Sequence, residues 1–144
     1  MPKKIIGRVD KVDFPTLELF DIDIKIDTGA FTSSMHCHKV IEENDLLKCL
    51  FFDKEHPNYN KKIIVFKNYS TTKVKSSNGM VQNRYMVKTS ILVFGKKYKI
   101  DLTLSTRDEM KYPILIGRKF LSKKFIVDIS LKNLSYQNKI KSTK

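Results

Sequence analysis

The chain has 144 residues, 41% hydrophobic and 30% charged, enough to bury a core as one globular domain without staples. Its 28 Lys and Arg outnumber 15 Asp and Glu for a net charge of +13, while nine Phe and six Tyr argue against disorder. No window reaches the roughly 18 apolar residues of a membrane span, and residues 7–10 end the short apolar start well before a secretory core. Two cysteines are too few for a disulfide framework, so Cys37 and Cys49 are read as buried free thiols and the expected location is cytoplasmic.

The dominant hydrophobic period is two. Strands are expected at 5–9 and 17–20, and then over 21–27, where Asp21-Ile22-Asp23-Ile24-Lys25-Ile26-Asp27 puts isoleucines on one face and ionisable groups on the other. Further strands are expected at 46–52, 62–67, 84–94, 98–104, 114–116, 125–129 and 134–136. Gly95 marks a tight hairpin near 94–98, and Ser76-Ser77-Asn78-Gly79 marks a second turn, because Asn-Gly tolerates positive φ. Helix signals are scarce, with one short helix expected from about 118 to 122. Residues 137–144 are polar and expected to fray, leaving 1–136 as a single domain. Many short strands separated by turns give an all-β sandwich or barrel.

The lysines are spread along the chain, with no compact basic block before residues 139–144. A solvated lysine surface accounts for most of the charge, and RNA-binding signatures of the RRM or KH type are absent. Nucleic acid is therefore not an expected partner, nor is a membrane. What the charge supports is a preference for acidic partners.

Asp27-Thr28-Gly29-Ala30 follows directly on the alternating strand. An aspartate at a strand end enters a loop whose glycine lets backbone approach a ligand closely. Those are the needs of an aspartic protease, in which a rigidly held carboxylate shares a water with a second carboxylate. About ninety residues on, Ile114-Leu115-Ile116-Gly117-Arg118 runs a buried apolar strand into a glycine. An aspartic dyad needs two carboxylates, because like charges about 3 Å apart share one proton. The chain has one Asp-Thr-Gly and no Asp-Ser-Gly, and Asp128-Ile129-Ser130 lacks the glycine. A symmetric homodimer is therefore expected, with Asp27 meeting its two-fold mate. Strands near Val9 and Tyr136, or the edges of the Asp27 loop, are the expected interface elements.

Several segments appear in order along nearly the whole chain: Lys25-Ile26-Asp27-Thr28-Gly29-Ala30, Thr32-Ser33-Ser34-Met35-His36, Val74-Lys75-Ser76-Ser77-Asn78-Gly79, Arg84, Thr103-Leu104-Ser105-Thr106-Arg107, Met110 through Arg118, and Val127-Asp128. In these the chain resembles the small bacterial retropepsin-like family catalogued as an "ATP-dependent zinc protease" and associated with RimK-type glutamate ligases. The resemblance implies a closed retropepsin-like, acid-protease β-barrel with one short helix, and aspartic endopeptidase activity. It implies Asp27, Thr28 and Gly29 as the catalytic residues. Residues 74–85 would form a flap over the substrate, with Ala30, Ser76, Ser77, Asn78, Gly79 and Arg84 as substrate-binding positions. The substrate would be a peptide or protein, with acidic or glutamylated proteins the attractive class. Arg84 and Arg107 would either hold an acidic substrate or make structural ion pairs. In retroviral proteases the Gly-Arg arginine pairs with a carboxylate just after the Asp-Thr-Gly-Ala. Here that position is Phe31, so Arg118 is expected to use Asp108, Glu109 or Asp128 instead.

The label's metal and nucleotide find no support in sequence. There is no H-E-x-x-H and no phosphate-binding G-x-x-x-x-G-K-[ST]. His36 and His38 would share a strand face, but zinc wants four ligands, and His56 and Cys49 show no signature spacing. No cofactor and no metal are expected. Two other functions compete with the peptidase: a non-catalytic basic β-barrel that binds an acidic partner such as ribosome, RNA or a polyglutamylated protein, and a metalloprotease. Loss of activity in Asp27→Asn separates the first from the peptidase, and chelation separates the second.

Overall fold

The computed structural model of the chain describes residues 2–51, 62–75, 78–106 and 111–142. Among them run β1 (Lys4–Ile6), β2 (Val9–Phe14), a 3-10 turn (Pro15–Leu17), β3 (Leu19–Ile26), β4 (Ser33–Glu43), β5 (Leu46–Phe51) and β6 (Ile63–Phe66). They are followed by β7 (Ser70–Lys75), β8 (Val81–Val93), β9 (Lys96–Ser105), β10 (Ile114–Ile116), α1 (Arg118–Leu121), β11 (Phe125–Val127) and α2 (Leu134–Ser142).

The strand order β10-β3-β2-β8-β9-β4 closes on itself, because β10 pairs with β4 as well as with β3. This is the closed barrel of the retropepsin type, mostly antiparallel, with β10 running parallel to β3 and β4 parallel to β9. Closure leaves the ring without free edges. Two strands, β5 and β6, extend it beyond β4, and β7 pairs with the start of β8. A separate parallel pair, β1 with β11, lies apart from the ring.

The period-two pattern positions the core. Ile22, Ile24 and Ile26 of β3 are buried with Val12 and Phe14 of β2, Met35 of β4, and Val87 and Ile91 of β8. Full burial of each such side chain is worth about 1.5–3 kcal/mol. Among the described residues no helix is long and apolar enough to cross a membrane.

Several sequence expectations change in the structure. The strand expected at 5–9 is two strands. Gly7 divides them, since a Cβ there would collide with the backbone carbonyl of Leu131. The expected strand 17–20 splits between the 3-10 turn and β3. Residues 134–136 are not a strand, and 137–142 do not fray: both belong to α2. The helix is held from a distance. Asp10 of β2 accepts the N–H groups of Ser135 (2.9 Å) and Tyr136 (3.0 Å), capping the helix start. Lys139 reaches Asp13 (2.9 Å) and Asp21 (2.6 Å). Tyr136 is thus helical rather than in a strand, and Val9 is paired to Lys25 of β3.

Cys37 and Cys49 are not free thiols. They form a disulfide between β4 and β5, with Cα atoms 6.1 Å apart. No local pattern announces it, because the register of the two strands brings the residues together. Closing a loop of this size contributes on the order of 3 kcal/mol in the chain-entropy model.

Candidate active site

Strand β10 lies between the two strands that the Asp27 loop connects. It runs parallel to β3, with Ile116 opposite Ile26, and antiparallel to β4, with Leu115 opposite Ser34. Residues 27–32 therefore cross over the end of β10, and the two motifs far apart in sequence become one structure. The Asp27 N–H donates to the Ile116 carbonyl (2.8 Å), continuing the ladder into the loop.

Gly117 sits directly beneath. An added Cβ would lie 2.7 Å from the carbonyl oxygens of both Phe31 and Thr32, so only hydrogen fits. From this strand end three N–H groups grip the loop and the start of β4: Arg118 to the Ala30 carbonyl (2.9 Å), Lys119 to the Phe31 carbonyl (2.9 Å) and Gly117 to Ser33 Oγ (3.0 Å). Ser33 is buried, and its own carbonyl accepts the Thr103 hydroxyl (3.2 Å) from β9. The loop is also closed on itself. Asp27 Oδ1 accepts the Gly29 N–H (3.1 Å), and the Asp27 carbonyl accepts the Ala30 N–H (3.2 Å). Asp27 and Ala30 are half-buried, whereas Thr28 and Gly29 are exposed. The result is a carboxylate on a braced turn, open on one side.

Among the described residues Arg118 meets a carbonyl and a ring rather than a carboxylate. Its guanidinium Nη1 donates to the Thr28 carbonyl (2.9 Å) and lies over the Phe31 ring at 5.9 Å, in cation–π range. Phe31 thus engages the arginine from the position where retroviral enzymes place an acid. Asp128 is occupied by Ser130, whose hydroxyl and N–H bonds hold its carboxyl below the usual value. Asp108 and Glu109, with Arg107, lie outside the described residues.

The expected flap is a hairpin. β7 and β8 pair from Ser70 opposite Met86 to Lys75 opposite Val81. Ser76 and Ser77 fall outside the described residues. At the tip, Asn78 Oδ1 accepts the Met80 N–H (3.2 Å) and Gly79 has φ +86°, a conformation that favours glycine. Arg84 is half-buried opposite Thr72, with Nε and Nη2 donating to Gln82 Oε1 (3.4 and 3.2 Å). At the hairpin base, Glu42 accepts both the Tyr69 hydroxyl (2.5 Å) and the Tyr85 hydroxyl (3.5 Å), and the hydrogen bond that Tyr69 donates to this carboxylate pushes its hydroxyl up to about 12.

The His36-Cys37-His38 segment does not form a ligand set. A β-bulge between Cys37 and Lys39 breaks the alternation, leaving His36 buried and His38 exposed. Cys37 is tied up in the disulfide, and His56 lies outside the described residues. Among the described residues no group of three or more His, Cys, Asp or Glu side chains is placed to hold a metal ion.

Sequence reasoning did not assign roles to Ser33, the hydroxyl acceptor under Gly117, or to the Arg118–Thr28 contact. Its one available signal was the run Thr32-Ser33-Ser34 entering a strand that is buried on both faces at Ser33–Cys37.

A family model described as RimB-like, retropepsin-like aspartic endopeptidase RimB, matches residues 5–138. The crystal structure of a protein of unknown function (DUF785) from Legionella pneumophila superposes with a TM-score of 0.70 at 26% identity, covering 93% of this chain and 99% of that one. Among curated proteins, a "Probable alpha-L-glutamate ligase" of Shewanella halifaxensis is 33% identical over 132 residues, 89% of this chain and 29% of that protein. One of the same name from Parasynechococcus marenigrum is 29% identical over 131 residues, 88% of this chain and 28% of that protein. The chain thus spans less than a third of the length of these curated relatives.

Proposed function

The chain belongs to the RimB-like family of retropepsin-like aspartic endopeptidases, and from that membership we propose that it hydrolyses peptide bonds as a homodimer, with Asp27 of each copy supplying half of a carboxylate dyad. The observation that carries this reading is the bracing of the Asp27 turn across β10, which leaves the carboxyl fixed in place and Thr28 and Gly29 open to a second copy. A single carboxylate held this way is half of an aspartic site.

In the dimer, two carboxyl groups about 3 Å apart retain one proton between them. The ionised member takes a proton from the bound water as that water attacks the scissile carbonyl carbon. The protonated member donates a hydrogen bond to the carbonyl oxygen, and the dyad then delivers a proton to the leaving amine as the C–N bond breaks. Charge develops on the carbonyl oxygen where a donor already waits, so little reorganisation is needed. The β7–β8 hairpin, with Asn78 and Gly79 at its tip, closes over the peptide and excludes bulk water. Ala30, Ser76, Ser77 and Arg84 complete the proposed substrate-binding set.

The substrate class we propose is an acidic protein segment. The net charge of +13 supports it, as does the occurrence of matching segments within proteins named as glutamate ligases.

Purified chain should cleave a quenched fluorogenic peptide with activity that survives EDTA and is lost in Asp27→Asn. The dyad activates water without a metal, whereas a metalloprotease loses its nucleophile on chelation. Activity abolished by EDTA and restored by zinc, or unchanged in Asp27→Asn, would overturn the proposal.

A further inference from the structure

The β7–β8 hairpin stands clear of the barrel. None of residues 70–75 or 81–86 is buried, whereas Val87, the next residue of β8, is 1% exposed. Strand β8 changes partners at the same place. It pairs with β7 as far as Met86, opposite Ser70, and with β9 from Met86, opposite Thr103, onward. A hairpin that buries no side chain of its own bends most easily where it leaves the sheet. Groups placed along that line therefore set its angle.

Two tyrosines flank the line, one on each leg. Tyr69 precedes Ser70 and Tyr85 precedes Met86. Tyr85 is opposite Thr71, so it is the diagonal neighbour of Tyr69, and the two rings meet edge to face with centroids 5.9 Å apart. Both rings pack against the barrel core. Both hydroxyls donate to a single carboxylate, Tyr69 to Glu42 Oε2 (2.5 Å) and Tyr85 to Glu42 Oε1 (3.5 Å). Glu42 belongs to neither leg. It lies on β4, opposite Leu47 of β5, and β4 has no ladder to β7 or β8. The same strand begins at Ser33, which accepts the Gly117 N–H, and pairs with β10 through Ser34 and Met35. One strand thus touches both the base of the hairpin and the end of the Asp27 loop.

We propose that Glu42 is a positioning residue, which clasps the Tyr69 and Tyr85 hydroxyls across the base of the β7–β8 hairpin and holds the hairpin at the angle from which it closes over a peptide. The proposal rests on the reading of this hairpin as a lid given above. A carboxylate has two oxygens, so it takes one hydroxyl from each leg, and the hairpin cannot swing without stretching at least one bond. A charged acceptor makes such bonds stronger than neutral ones. Glu42 acts through the hairpin and not on the reacting atoms. Without the clasp the hairpin samples more directions, and a smaller fraction of chains presents a lid aligned to capture substrate. Apparent affinity falls by that fraction. Once the lid has closed, its contacts with the peptide are unchanged, so turnover is nearly preserved.

The test is amide hydrogen exchange of the full-length chain without substrate, beside steady-state cleavage of a fluorogenic peptide. Tyr69→Phe/Tyr85→Phe keeps both rings and removes both hydroxyls. It should speed exchange over residues 70–75 and 81–86 about fivefold, as loss of a hydrogen bond of ordinary strength implies, and leave β2 and β3 unchanged. KM should rise about threefold or more while kcat stays within about twofold. Glu42→Ala should reproduce both effects, and Glu42→Gln, whose amide oxygen still accepts a hydroxyl, should recover part of each. Tyr98→Phe, which removes a hydroxyl beside Phe120 and Phe125 instead, should move neither. Unchanged exchange in the hairpin, equal acceleration in β2 and β3, or a fall in kcat at constant KM would each overturn the proposal. Exchange is read without cleavage, which separates the two readings. Faster hairpin exchange in a chain that cleaves no peptide would sink the peptidase reading and leave the clasp standing. Normal cleavage with unmoved hairpin exchange would do the reverse.

Discussion

Gly117→Ala is the smallest change that should disable the loop. The residue has φ −93° and ψ 176°, extended backbone that alanine adopts freely, so any cost is steric. The new methyl would lie 2.7 Å from the carbonyl oxygens of Phe31 and Thr32 and 2.8 Å from the Phe31 carbonyl carbon. Ordinary contact begins at 3.4 Å, so loop and strand must part by about 0.7 Å. Both are backbone, and neither can rotate away. Overpacking of this kind costs about 1–3 kcal/mol. Parting them also strains the bonds from Gly117, Arg118 and Lys119 into the loop and the start of β4, each worth about 1 kcal/mol. A total of about 3 kcal/mol lowers the melting temperature of a chain this size by on the order of 10 °C. The effect on turnover should exceed the effect on stability. A displacement of about 1 Å at a reacting group costs on the order of a hundredfold in rate, so kcat should fall by tens of fold at temperatures where the variant is folded. The assay is calorimetry beside steady-state cleavage of a fluorogenic peptide. A Gly117→Ala protein with wild-type melting and wild-type kcat would refute the reasoning, because the loop would not depend on close approach of β10.

Other expectations follow from single contacts. Asp10→Ala removes the cap of α2 and leaves the Ser135 and Tyr136 N–H groups without their acceptor, costing about 2–3 kcal/mol in denaturant unfolding. Burial pushes the Asp10 carboxyl above its ordinary value of 3.8, against the lowering effect of the Ser135, Lys11 and Tyr136 N–H bonds. The folded state therefore holds this proton more tightly than the unfolded chain, and the group's contribution declines as pH rises from about 4 through its raised pKa. The difference in unfolding free energy between wild type and Asp10→Asn should shrink over that interval; a difference that grows with pH would mean the N–H bonds outweigh burial. Arg118→Lys keeps the charge but loses the planar group that bonds Thr28 and covers Phe31. It should lower kcat several-fold while changing unfolding free energy by about 1 kcal/mol or less, since the contact is exposed.

How far these features were legible depended on where each element draws its stability. The alternation of Ile22, Ile24 and Ile26 announces β3, because a half-buried strand writes its two faces into the sequence. Ile114-Leu115-Ile116 before Gly117 marks β10 and the loop it braces, since only that glycine admits the approach. By contrast Ser33–Cys37 of β4 is buried on both faces and carries serines and a histidine, so no period shows. α2 reads as a polar tail because its sequence has little helix signal of its own. It is fastened by Asp10, Asp13 and Asp21, more than a hundred residues away. The Cys37–Cys49 bond is likewise set by strand register rather than local pattern, and Arg118 bonds a backbone carbonyl that no side-chain pattern could name.

The central claim is that one Asp27 from each of two copies makes the site. Mixing wild-type and Asp27→Asn chains at fixed total concentration, with time to exchange, tests it directly. If both copies must supply the carboxylate, active dimers form only from two wild-type chains, and total activity should fall as the square of the wild-type fraction. Activity proportional to the wild-type fraction itself would contradict the account, because each chain would then carry a complete site.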